Sequence, residues 1–393
     1  MLRQTLAVTA MGLRGLPSRL GNSLVIVTGI AGVVAVLVSV LAMSTGFRKT
    51  VANTGADDRA IVLRGGSNAE LSSALAREQA QTIMEAAQVR RDSEGRPLAS
   101  AEAVVIVNLP TRADGADANV TLRGVGGQGL AMRPEIRLVE GRLFQPAVRE
   151  VMVGRSALAQ FDGLSLGSQV DFRDSAWTVV GVFESDGDAR ESELIGDNET
   201  VLSAYRRNGF QSVTVQLDDA AGFDAFKAAL TTDPTLSVDV QRERDYYAEQ
   251  SQQLTQLLDF LAVFVGGIMA VGAMFGALNT LYSAVSARSL EIATLRAIGF
   301  SAGPVVVSVM VEALLLALIG GVLGALLAAL LFNGNVVNTL GSNFSQVVFQ
   351  LDVSPALVQL GVIWALVIGA LGGLLPALRA ARLPVVTALR ATG

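Results

Sequence analysis

Residues Leu24–Thr45 read LVIVTGIAGVVAVLVSVLAMST, an apolar run of 22 residues with no charge in it. A hydrocarbon core about 30 Å thick takes about 20 such residues in a helix, since no water is there to satisfy a free peptide group. The run is therefore a transmembrane helix. Three further runs follow at about Leu257–Val285, Val305–Phe332 and Ala356–Leu375. The first does not read as a signal peptide. A polar lead carrying Arg3, Arg14 and Arg19 precedes it, and no A-x-A site closes it.

Composition agrees with lipid contact. Of 393 residues, 51% are hydrophobic and 17% charged, below the quarter usual for soluble chains. The mean hydropathy is +0.48. A net charge of −5 argues against nucleic acid as a partner, because phosphate binding needs a basic footprint. The chain has no cysteine and no histidine, which excludes disulfides, thiol nucleophiles, Ser-His-Asp triads and Cys/His zinc sites.

The short connections set the orientation, since cytoplasmic loops gather Lys and Arg. Arg3, Arg14 and Arg19 lie before the first span, Arg288 and Arg296 between the second and third, and Arg379, Arg382 and Arg390 after the fourth. The connection from about Asn333 to Pro355 has Asp352 and no Lys or Arg. Both termini and the second connection are thus expected inside, and the long segment from about Gly46 to Ser251 outside. The lead, Met1–Leu20, places Leu2, Leu6, Thr9, Leu13 and Leu16 near one face, which suits an amphipathic helix in the inner headgroup plane.

The long segment has the character of a soluble mixed α+β domain of two lobes. Strands are expected at Ala60–Arg64, Ala103–Leu109, Asn119–Gly124, Val151–Gly154, Trp177–Phe183, Ser212–Leu217 and Leu236–Val240. Amphipathic helices are expected at Glu70–Ala87 and Ala220–Leu230. Glu184–Glu199, with Asp186, Asp188, Glu191, Glu193 and Asp197, allows a cation site, but its spacing fits no EF-hand, and a flexible solvated loop is the favoured reading. The glycine run Gly124–Gly129 lacks the G-x-x-x-x-G-K-[ST] pattern of a phosphate cradle and reads as a turn.

No proline occurs between Pro234 and Pro304, and from Asp245 a helical pattern enters the second span without a breaker. This is either a rod linking the outer domain to the inner connection or a span that overshoots the bilayer. Gly272 and Gly276, Gly320 and Gly324, and Gly369 and Gly373 have the spacing of close helix contacts. Glu312 lies about 12 Å inside the third span at 1.5 Å per residue. An intramembrane carboxylate needs a partner, and the spans offer no Lys or Arg. A relay and a structural hydrogen bond both remain open, with the structural one favoured.

The connection Ser286–Phe300 reads SARSLEIATLRAIGF, and the chain closes with LPALRAARLPVVTALR at Leu375–Arg390. These strings resemble the two signatures of the FtsX-like permease family, the MacB, LolC/LolE and DevC group of type VII ABC transporters. In the first, Arg288, Glu291, Ile292, Leu295, Arg296, Ala297 and Gly299 match. In the second, Pro376, Ala377, Ala380, Ala381, Pro384, Ala388, Leu389 and Arg390 match, with Arg379 and Arg382 between them. The outer segment is similar to the MacB-type periplasmic core at Gly141–Phe144 and Val179–Val182.

The resemblance implies a bacterial inner-membrane permease subunit, itself no enzyme. No Walker A motif is present, so ATP and Mg would be bound by two copies of a separate ATPase chain. The implied layout is an amphipathic helix at 1–23, spans at 24–45, 252–285, 304–332 and 356–376, a periplasmic domain with stalk at 46–251, a coupling turn at 286–303, an outer loop at 333–355 and a cytoplasmic tail at 377–393. In the coupling turn Leu290, Leu295 and Ile298 would anchor in the ATPase, with Arg288, Glu291 and Arg296 at the rim and Ser286, Gly299 and Phe300 at the ends. The resemblance further implies a homodimer and movement of the outer domain by mechanotransmission. Export with a membrane-fusion adaptor and an outer-membrane channel is the expected use. Lipoprotein release as in LolC/LolE, or FtsX-like control of cell-wall hydrolases, are the alternatives.

Overall fold

The computed structural model describes residues 2–15, 20–340 and 346–382; of the closing string, Pro384, Leu389 and Arg390 lie outside them. Four helices are long and apolar enough to cross a membrane: Ser23–Ala52, Glu243–Ala287, Ala302–Phe332 and Pro355–Ala381. The described residues form two compact units. One takes in 1–45, 256–335 and 351–393, and the other 46–255 and 336–350.

The membrane unit contains α1 (Leu2–Arg14), most of α2 (Leu20–Ala52) and the later part of α7 (Glu243–Ala287). It also contains α8 (Ser289–Ala297), α9 (Ala302–Phe332) and α10 (Pro355–Ala381). Small residues decide its packing, because helices in lipid gain by close backbone approach rather than by burial from water. A Cβ on Gly320 would lie 2.9 Å from the Val27 carbonyl, and one on Gly324 would collide with the Ala31 carbonyl, so α9 packs on α2 through glycine. Gly373 meets the Ala313 methyl in the same way, at 2.7 Å from a built Cβ, and Gly369 meets Ala317. Gly272 and Gly276 differ: a Cβ on either meets open space among the described residues. Their helix instead uses Gly266 against Leu37 and Ala277 against Gly372. Helix α10 starts at a Ser354 cap whose hydroxyl accepts from Leu357 N, with proline next in the first turn.

Helix α1 meets α9 through Val8, which is buried and whose carbonyl accepts from Ser308 Oγ at 3.2 Å. Leu6, on the expected apolar face, is 67% exposed, as a side chain turned toward lipid is. The side chains of Leu2 and Leu13, and Leu16 itself, lie outside the described residues.

The other unit is built on one mixed sheet of β1 (Arg59–Arg64), β2 (Ala99–Pro110), β3 (Asp117–Val125), β4 (Arg137–Gly141) and β5 (Glu150–Gly154). To these it adds β6 (Gln169–Phe172), β7 (Ser175–Glu184), β8 (Glu193–Asp197), β9 (Ser212–Gln216) and β10 (Val238–Arg242). The order is β10-β1-β9-β2-β3-β8-β5-β7-β4, with β6 on β7. Pairs β3–β8 and β5–β7 are parallel and the rest antiparallel. The expected division into two lobes is absent. The long hairpin β2–β3 belongs to both halves of the sheet, and one apolar cluster runs from Val62 through Val105 and Leu122 to Trp177. Four short helices, α3 (Arg77–Met84), α4 (Arg155–Gln160), α5 (Asn198–Ala204) and α6 (Phe223–Thr231), contribute Ile83, Ala157, Val201 and Phe226 to it.

Two sequence expectations fail here. Glu70–Ala87 is not one helix. A short 3₁₀ turn at Glu70–Ser72 is followed by a bridge in which Leu75 pairs with Phe210, and only then by α3. The backbone of Leu75 exchanges both hydrogen bonds with Phe210, at 2.8 and 3.0 Å, and this pairing takes it out of any helix. Second, the connection between the third and fourth spans contains a hairpin, β11 (Val336–Leu340) with β12 (Gln346–Gln350), which belongs to the sheet-bearing unit. There Val348 N donates to Ser192 Oγ at 3.0 Å, and the Phe349 ring packs edge-on against Phe47 at 5.4 Å. Gly46 is glycine for the same reason, because a Cβ would strike the Gln350 carbonyl.

Candidate functional site

The candidate coupling turn begins where α7 stops. Arg288 has φ −102° and ψ 11°, which breaks the helix and lets α8 start in a new direction. Helix α8 then buries Ile292 and Ala293; Ile292 packs with Val285, Val305, Val309, Ala377 and Ala380 from the ends of α7, α9 and α10. The outward face carries Leu290 at 43% exposure, Ile298 at 72%, Glu291 and Thr294. Leu295 and Phe300 are half-buried, and Ser286 lies exposed in the last turn of α7. The turn ends on a Schellman motif. Phe300 N donates to Leu295 O and Gly299 N to Arg296 O, both at 3.1 Å. Gly299 sits at φ +104°, a conformation that side chains with a Cβ avoid, which accounts for the glycine in this string.

The two arginines expected at the rim point inward instead. Arg296 Nη1 donates to the Ala381 carbonyl at 2.9 Å, satisfying the open end of α10. Arg288 Nη1 reaches Glu312 Oε2 at 3.2 Å, so the intramembrane carboxylate has a cationic partner after all. It comes from the connection rather than from a span, because the break at Arg288 turns its side chain back toward α9. At the end of α10, Arg379 lies 5.2 Å over the Tyr282 ring and Pro376 is buried, while Arg382 is exposed.

A second site, on the sheet-bearing unit, is absent from the sequence reading. Glu243, the first residue of α7, is fully buried and bonded to Arg59 Nε and Arg190 Nη2, both at 2.5 Å, with Arg133 Nη2 at 3.6 Å. Arg59 also pairs with Glu135 and donates to Met132 O at 2.7 Å. Arg133 continues the network to Glu102 at 2.6 Å, and Arg123 joins Glu102, Glu70 and Glu193 at 2.7 to 2.8 Å. Tyr246 of α7 accepts from Glu70 N at 3.1 Å, and the Arg190 guanidinium stands 5.4 Å from the Tyr247 ring. Burial opposes ionisation of Glu243, yet Arg190, Arg59 and Arg133 outweigh it and hold the carboxyl well below its usual range. Glu102 is lowered in the same way, burial being overcome by Arg133 and Arg123.

This network also overturns the reading of Glu184–Glu199 as a solvated loop. The stretch holds a 3₁₀ turn, Ala189–Ser192, then β8 and the start of α5. Its acids are occupied by protein partners. Glu191 accepts from Ser185 N and Gly187 N at 2.8 and 2.9 Å, and Glu193 pairs with Arg123. Asp188 caps Arg190 N, and Asp197 caps α5 at Thr200 N. The partners of Glu193 and Asp186, Arg123 and Arg137, lie far away in sequence, which hid the pairing. Burial raises the Asp188 carboxyl to about 7 against the pull of Arg190.

The fold and these sites define a membrane-embedded subunit with a mixed α/β extracytoplasmic domain. Residues 23–233 match the model of the MacB-like periplasmic core domain, and residues 263–385 match that of the FtsX-like permease C-terminal domain. The chain belongs to the FtsX/MacB-type family of ABC-transporter permeases, whose ATPase is a separate subunit. Among solved structures, the extracellular domain of the noncanonic ABC-type transporter YknZ from Gram-positive bacteria aligns over 47% of this chain and 99% of its own, at 17% identity and TM-score 0.36. The periplasmic region of MacB from Actinobacillus actinomycetemcomitans aligns over 51% and 92%, also at 17% and 0.36. No curated protein matches the chain by sequence.

Proposed function

We propose that the chain couples ATP hydrolysis by its separate ATPase subunit to movement of its extracytoplasmic domain, and so drives export of a substrate. The observation that carries this is α7, an unbroken helix from Glu243 to Ala287. At one end it is fixed in the arginine network by Glu243 and Tyr246; at the other it leads through Arg288 directly into α8. A helix of this kind carries displacement with little loss along its length, because every peptide group is hydrogen-bonded to the next turn. The termini and α8 lie in the cytoplasm on this reading, which the arginines of the short connections support. ATP and Mg stay with the partner.

The outward face of α8 is the docking surface, with Leu290 and Ile298 as apolar anchors and Glu291 beside them. The lipid-span part of α7 leaves Phe260, Phe264, Ile268, Val271 and Phe275 exposed, with Gly272 and Gly276 open, and this supports a second copy of the chain as its neighbour. A membrane-fusion adaptor and an outer-membrane channel complete the export path in this scheme.

Leu290→Asp with Ile298→Asp tests the docking surface. The variant inserts normally, and the ATPase that co-purifies with the wild-type chain no longer does so. Wild-type association would refute the assignment.

A further inference from the structure

Neither Glu312 nor Arg288 has a role in the docking surface, yet Glu312 is buried and Arg288 half-buried, with side chains 8% and 13% exposed. The Arg288 guanidinium touches three helices. It is paired with Glu312 Oε2 of α9 at 3.2 Å, donates from Nη2 to the Met11 carbonyl of α1 at 3.3 Å, and lies 3.6 Å from Glu291 in its own α8. One turn before Glu312, Ser308 holds the Val8 carbonyl. The approach is close at the two glycines at the end of α1. A Cβ on Gly12 would come 2.9 Å from Ser308 Oγ, and one on Gly15 would come 3.2 Å from Arg288 Nη2. Beside the fork is a cavity of about 640 Å³, with Val8 and Met11 of α1 on one side and Leu290 and Leu295 of α8 on the other. Across this space α1 and α8 are joined by a long polar arm.

We propose that Arg288 is a positioning residue that ties the coupling helix to the third span and to α1, so that displacement of α8 is passed to both. It is not a contact of the ATPase. What moves α8 rests on the docking reading; the tie does not. Two opposite charges paired in so poorly hydrated a place favour staying together, because separating them costs the attraction that offsets their desolvation. The second donor of the fork holds α1 at the same time, which an ammonium on a single point charge does less well.

The test is amide hydrogen exchange on the full chain in nanodiscs of phosphatidylethanolamine and phosphatidylglycerol. Arg288→Ala and Glu312→Ala each raise exchange about tenfold both in the last turn of α1 and in the first turn of α8, and the double variant adds nothing, as expected for one interaction. Glu312→Gln keeps an acceptor and restores most of the protection. If Arg288→Ala prevents insertion, the exchange Arg288→Glu with Glu312→Arg recovers it. Unchanged exchange in α1, or additive effects of the two alanines, overturns the tie. In the coupled readout, Arg288→Ala retains the co-purifying ATPase but loses at least tenfold of its permease-dependent ATP turnover. Loss of the ATPase with wild-type exchange would make Arg288 a docking residue and also overturns the proposal. Should Leu290→Asp with Ile298→Asp keep the ATPase bound, the docking reading fails alone, and the exchange result still decides the tie.

Discussion

Arg296 Nη1 donates to the carbonyl oxygen of Ala381 at 2.9 Å, so α8 closes the end of α10. A carbonyl at a helix end has no partner within its own helix, and a charged donor there contributes about 1.5 to 3 kcal/mol. Arg296→Ala is therefore expected to raise amide exchange across residues 376–382 while the ATPase remains bound. Arg296→Lys should recover part of the protection.

Glu243→Gln removes the charge that faces Arg59, Arg190 and Arg133. Breaking such a buried pair costs about 3 to 5 kcal/mol. The folded carboxyl lies far below its ordinary 4.5, so its contribution is complete above that value and is lost as pH falls below it. Acid unfolding of the wild type, followed by circular dichroism, should steepen below about pH 5 on this account, and the variant should start less stable and show a flatter profile.

Asp188 has the opposite sign. Its carboxyl is raised from 3.8 to about 7, so the folded state binds a proton that the unfolded state has released. Stability from this group is full below 3.8 and falls as pH rises through about 7. Asp188→Asn keeps an acceptor for Arg190 N and removes the titration. Thermal scans should show the variant gaining on the wild type as pH rises from 3.8 to about 7, the interval between the unfolded and folded values, with no further gain above it.

Gly324→Val forces a side chain into the Ala31 backbone, an overpacking that costs about 1 to 3 kcal/mol. Thermal inactivation in detergent should shift down accordingly. Gly276→Ala meets open space and should leave the isolated chain unchanged. If a second copy sits on α7, Gly276→Leu should instead lower the yield of crosslinked dimer.

The spans were legible because lipid demands about 20 uninterrupted apolar residues, a signal that short elements cannot match. Ser212–Gln216 showed through alternation, and Ser175–Glu184 through a short apolar run. Arg137–Gly141, wholly exposed at the sheet edge, gave no such pattern, and Gln169–Phe172 alternates but over only four residues, too short to stand out. Charge misled in both units. The acids of 184–199 looked hydrated because Arg123 and Arg137 are distant in sequence, and Arg288 looked like a rim residue because nothing local marks a side chain that turns back 24 positions onto Glu312. Helical glycine spacing was equally ambiguous: the same pattern packs at Gly320 and Gly324, while at Gly272 and Gly276 a Cβ would meet open space among the described residues.

The hairpin Val336–Gln350 has a practical side. A soluble fragment cut at 46 and 255 would carry the whole ten-stranded sheet but leave the seat of Phe349 bare, with Phe47 and Ser192 facing solvent. Grafting those fifteen residues back through a short linker should improve the solubility of the excised domain, since the piece that covers that spot arrives in the chain only after two more passages through the lipid.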